Sequence, residues 1–173
     1  MWRYLIIILT GVLFSFYYFP VTFVFLPGIN TKMILAVVGL CFGGMAMFKN
    51  REFKMPSIIL WLSVFALIVS FVGLISVVYN NTQDYAYATY IISMWVWLSS
   101  AYAIVSIMKY VHGNIGVDII CKYVIIICLA QCILAQIIDV SPLAKYWYVR
   151  LFGKPEGLEA VNRLYGIGAS LDT

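Results

Sequence analysis

From Pro56 to Tyr79 the chain reads PSIILWLSVFALIVSFVGLISVVY, an apolar run broken only by single serines and without one charged side chain. A helix of roughly 20 such residues crosses a hydrocarbon core of about 30 Å. In that medium every backbone polar group must be satisfied within the segment, which leaves helices and closed barrels as the available folds. The rest of the chain repeats the pattern: 64% of the 173 residues are hydrophobic and 10% charged, against roughly a quarter charged in soluble domains. A transmembrane barrel would show strands of about 10 residues alternating apolar and polar, and no such alternation occurs. The chain is expected to be all-α, a polytopic transmembrane helix bundle of about five spans.

The spans fall at about 4–19, 32–48, 56–79, 87–108 and 117–138. Between the first two lies FPVTFVFLPGINTK, still apolar but interrupted by Pro20 and by Pro27-Gly28. Proline lacks the amide hydrogen and clashes with the preceding turn, so this stretch reads as a short interfacial turn; the alternative is one long kinked helix continuing to about Leu26. The first span has no small-residue cleavage site and carries the bulky FSFYYF, unlike a removable signal peptide.

Lysine and arginine are retained on the cytoplasmic side of short loops. Arg3 before the first span, Lys49, Arg51 and Lys54 after the second, and Lys109 and Lys122 around the fourth loop place those segments inside, whereas NNTQDYA has no basic residue. The N-terminus is therefore expected in the cytoplasm and the tail, residues 141–173, on the far side as a periplasmic loop segment. That tail carries Lys145, Arg150, Lys154 and Arg163, an excess of positive charge on the wrong side that a long translocated loop tolerates and an anionic ligand would explain. A count wrong by one span would instead leave the tail in the cytoplasm.

Inside the spans, Gly39 and Gly43 have the small-xxx-small spacing that lets two helices approach closely. Asp118 and Lys122, four residues apart, suit a local ion pair. Gln131 and Gln136 need partners in hydrocarbon and are expected to bond to a neighbouring helix. His112 reads as a solvated loop histidine. Cys41, Cys121, Cys128 and Cys132 lie in or beside spans as small apolar residues rather than a disulfide or metal framework. No P-loop or dinucleotide-binding glycine pattern, paired histidines or nucleophile with its base is present, so catalytic residues stay unknown, no metal or cofactor is expected, and nothing points to nucleic acid.

The stretch VNRLYGIGASLD, preceded by YNNTQDYAYATYIISMWVWLSSAYAI and CLAQCILAQIIDV, resembles the amino-terminal part of bacterial O-antigen polymerase and O-antigen ligase-like membrane proteins of the Bacteroidetes type. The most specific element is an arginine followed three residues later by glycine, Arg163 and Gly166 here, with Gly168 beyond. The resemblance implies a multi-pass protein of the bacterial inner membrane that transfers polyprenyl diphosphate-linked oligosaccharide on the periplasmic face. It further implies a periplasmic loop leading into more helices, so the chain is expected to be an amino-terminal fragment, truncated in that loop and inactive alone. Arg163, with Gly166 and Gly168, is carried over as the diphosphate contact; Lys145, Arg150 and Lys154 are candidates for recruiting the anionic carrier. The alternative for Arg163 is a snorkelling interfacial residue. Expected partners are the lipid-linked oligosaccharide, membrane lipids and other polysaccharide-assembly membrane proteins. The competing reading is a complete small membrane protein serving as a scaffold, immunity factor or assembly partner.

Overall fold

A computed structural model describes residues 2–26, 28–50 and 57–152. Among them the chain is helical, with six elements: α1 Trp2–Tyr18, α2 Thr31–Asn50, α3 Ser57–Asn80, α4 Tyr90–His112, α5 Val117–Val140 and α6 Pro142–Phe152. Stretches of α2, α3, α4 and α5 are long and apolar enough to cross a membrane, and the shorter Tyr4–Tyr18 segment is apolar throughout. This is the all-α, multi-pass bundle expected, with span ends displaced by a few residues. The burial pattern departs from that of a soluble domain in the amount of apolar surface left exposed. Large apolar residues such as Ile58, Trp61, Phe65 and Phe71 of α3 point outward, whereas Thr10, Ala66, Ser70, Ser99, Ser100 and Ala103 are buried. Small and hydroxylated residues inside are what helix packing in lipid selects, because close backbone approach replaces the hydrophobic drive.

The chain forms two compact units, Met1–Leu35 with Ile104–Thr173, and Ala36–Ala103. In the first, α1 ends where Pro20 cannot continue it and disfavours helical geometry at Phe19; the last bond is Phe19 N–H to the Ser15 carbonyl. The chain then turns back through an antiparallel bridge between Thr22 and Asn30, with Gly28 at φ 84°, a region glycine enters without a Cβ penalty. Thr31 closes the turn: its Oγ1 accepts from Val21 N–H at 2.9 Å and donates to the Phe16 carbonyl at 3.2 Å. Asn30 Oδ1 accepts from Met33 N–H at 2.9 Å and so caps α2. FPVTFVFLPGINTK is thus a turn between two helices and not a kinked extension of α1. The core of this unit is Phe14, Leu35, Ile104, Met108, Tyr123 and Ile127. Gly11 faces the Tyr123 ring and Ser15 meets Gln131, so α1 and α5 run side by side in the same direction.

In the second unit α2 and α4 meet at Gly39. A Cβ placed there would fall on the Ser99 carbonyl oxygen and crowd the Ala103 amide, while Gly43 faces the Tyr102 ring. The Gly39–Gly43 pair therefore serves packing within this chain. Asn81, at φ 49°, ends α3 in the left-handed conformation that closes helices. The fourth span begins at Tyr90, not Tyr87, because residues 86–89 form a turn in which Asp84 Oδ1 accepts from Ala86 N–H.

Candidate functional site

Residues 141–152, expected to belong to a loop, hold a helix. Ser141 Oγ accepts from Ala144 N–H at 3.4 Å, and Pro142 occupies the first helical position, where a missing N–H costs nothing. The Ser-Pro pair ahead of LAKYWYVRLF was the signal available in the sequence. At 11 residues α6 is far too short to span. It buries Tyr148 against Ile138 and exposes Leu143, Tyr146, Trp147 and Leu151 beside the exposed Lys145 and Arg150. Helices that lie in a membrane interface carry aromatic, aliphatic and basic residues mixed in this way.

Two contacts fix α6 to the turn after α1. Val24 N–H donates to the Leu151 carbonyl at 3.2 Å, and the Phe23 and Phe152 rings lie 5.7 Å apart. The Arg150 guanidinium sits 5.5 Å from the centre of the Trp147 ring. On the adjoining start of α2 the buried Lys32 places its ammonium 5.3 Å from the Tyr17 ring, a geometry in which the ring quadrupole attracts the cation. In the sequence Lys32 stands only at the edge of the second span, 32–48. Of the residues proposed from sequence, Lys145 and Arg150 thus share one short helix, while Lys154, Arg163, Gly166 and Gly168 lie outside the described residues.

A second feature runs along α1 and α5. A groove of about 910 Å³ is lined by apolar faces of both helices, from Ile119 and Ile7 at one end to Leu134, Phe19 and Phe152 at the other. Polar groups enter it at two levels. Midway, Gln131 Nε2 donates to Ser15 Oγ at 3.4 Å, the interhelical bond expected of a glutamine in hydrocarbon, yet its buried Oε1 finds no donor among the described residues. At the start of α5, Lys122, His112 and Tyr123 line the same groove.

Three expectations change here. His112 is half-buried at the end of α4, with Nε2 2.9 Å from the Tyr123 hydroxyl, so it belongs to the packed end of the unit. Asp118 and Lys122 are both exposed and form no ion pair; a pair at the water boundary gains too little to order two side chains. Gln136 is exposed and bonds to no described residue. The four cysteines are free, and among the described residues no three His, Cys, Asp or Glu side chains converge as metal ligands would. No protein-family model matches the chain, and no curated protein or solved structure matches it either.

Proposed function

We propose that this chain is the amino-terminal membrane portion of a bacterial inner-membrane enzyme that polymerises or ligates glycans carried on polyprenyl diphosphate, acting on the periplasmic face. The observation that supports it is the short basic helix α6, pinned to the turn after α1 with Lys145 and Arg150 exposed, which leads along the chain into VNRLYGIGASLD. A polyprenyl diphosphate concentrates negative charge at the membrane surface. Lys145 and Arg150 attract it there, and the Arg163 guanidinium supplies a planar fork of donors matched to phosphate oxygens two at a time. Held beside the departing sugar, that cation stabilises the charge developing on the diphosphate. Gly166 and Gly168 leave room for the backbone to approach the headgroup.

The reading requires the tail to be periplasmic. In a variant with Cys41, Cys121, Cys128 and Cys132 replaced by alanine, Ser170→Cys is expected to react with an impermeant maleimide on intact spheroplasts, and Asn50→Cys only after permeabilisation. Reaction of position 170 only from the cytoplasm ends the proposal. On the purified chain, Arg163→Ala is expected to weaken retention of a polyprenyl diphosphate, whereas equal retention by wild type and variant removes Arg163 from the site.

A further inference from the structure

We propose that the groove along α1 and α5 is a binding site for an anionic phospholipid, with its phosphate at Lys122 and one acyl chain laid along the groove toward Phe152. Its head end lies at the opposite end of the unit from α6, on which the glycan reading rests, and the argument for it does not use that reading.

The lining has the polarity of an amphiphile. On α5 a stripe of Ile119, Lys122, Ile126, Ala130 and Leu134 faces the groove at intervals of three and four residues, a length of about 22 Å at 1.5 Å per residue. Past Lys122 the lining is apolar apart from the Tyr123 hydroxyl, bonded to His112, and Gln131 and Ser15, bonded to each other. Most of this lining is hydrocarbon, the surface that an acyl chain covers.

The head end is selected by charge. Lys122 is the one cation among the lining residues and is exposed. His112 stands beside it, held through Nε2 by the Tyr123 hydroxyl, which leaves Nδ1 available. Helix α5 begins after Gly116 with no side-chain cap; Ile119 N–H already bonds the Gly116 carbonyl at 3.1 Å, so the amides open in its first turn are those of Val117 and Asp118, at the positive end of the helix dipole. The other charged groups at this end are Arg3, in the first turn of α1, Lys109, in the last turn of α4, and Asp118, in the first turn of α5; neither Lys109 nor Asp118 lines the groove. Basic pockets between helices at the boundary of a membrane are where anionic headgroups are recognised.

Native mass spectrometry of the full chain in detergent, supplied with equal phosphatidylglycerol and phosphatidylcholine, tests this. Phosphatidylglycerol adducts are expected to dominate about tenfold, and Lys122→Gln to remove most of that preference, as loss of a hydrogen bond to a charged group does. Ala130→Trp, which fills the groove and leaves the head contacts intact, is expected to remove the adduct as well, whereas Lys109→Gln leaves it unchanged. Equal retention of the two lipids, phosphatidylglycerol adducts surviving both Lys122→Gln and Ala130→Trp, or full displacement of the lipid by millimolar inorganic phosphate would each overturn the proposal. None of these variants is expected to alter labelling at position 170, so the two readings fail separately.

Discussion

Gln131 reaches from α5 to α1 and donates through Nε2 to Ser15 Oγ at 3.4 Å, while its own carbonyl oxygen, buried in the same seam, accepts from no donor among the described residues. The pair is long for a hydrogen bond and half satisfied. Interhelical polar contacts in membranes average only about 0.6 kcal/mol, and an unpaired acceptor costs about 1–3 kcal/mol, so the orphan outweighs the bond. Gln131→Leu is therefore expected to leave the chain as stable as wild type or more so, by up to ~1–2 kcal/mol. Ser15→Ala strands the amide nitrogen as well and is expected to destabilise. Unfolding in mixed micelles compares the two, and the argument fails if Gln131→Leu is the more damaging.

The Gly39 contact gives a sharper expectation, because a Cβ there meets backbone rather than a movable side chain. Gly39→Ala must push α2 away from the Ser99 carbonyl, and overpacking of this kind costs about 1–3 kcal/mol. Gly43→Ala, which meets only the Tyr102 ring at 3.9 Å, is expected to be near neutral. Equal melting temperatures for the two alanine variants in detergent would show that α2 and α4 do not meet at Gly39.

How legible these features were in the sequence follows from the physics of each. The spans could be read because hydrocarbon demands a long uninterrupted apolar run, and Pro20 and Gly28 marked the turn because backbone geometry there is local. Gly39 announced close packing by its spacing with Gly43, but Ser99 as its partner depends on the way the helices assemble. Helix α6 was hidden because its 11 residues mix polar and apolar types in a stretch too short for a hydropathy signal. His112 looked solvated since its partner Tyr123 lies 11 positions away across a turn. The absence of an ion pair between Asp118 and Lys122 is likewise a matter of side-chain freedom that spacing does not reveal. Local chemistry was readable, and contacts between distant segments were not.

Tyr123 combines a ring role and a hydroxyl role that mutation separates. Its ring packs edge-on to Phe14 with centroids 5.9 Å apart, and its hydroxyl lies 2.9 Å from His112 Nε2. Tyr123→Phe keeps the ring and is expected to cost about 0.5–1.5 kcal/mol, the net worth of one hydrogen bond. Tyr123→Ala empties a core position and is expected to cost about 3–5 kcal/mol, as for other large aromatic truncations. Chemical denaturation in micelles resolves the difference; two equal losses would mean that the ring carries little of the packing.

Ser70 performs an unusual capping duty. Its Oγ, on α3, accepts from the backbone N–H of Ile91 in the first turn of α4 at 2.9 Å, and the serine is buried. First-turn amides have no partner inside their own helix, and next to lipid there is no water to serve instead. The neighbouring Gly73 makes the approach possible, since a Cβ there would stand 2.7 Å from the Tyr87 carbonyl carbon. Ser70→Ala is therefore expected to cost about 0.5–2 kcal/mol, the range for loss of a helix cap, and to speed amide hydrogen exchange at Ile91 while leaving α5 unchanged. Gly73→Ala, which forces the segment around Tyr87 away from α3, is expected to raise exchange at the same amide although Ser70 is intact. Unchanged protection of Ile91 in both variants would show that α4 is capped by something other than this serine.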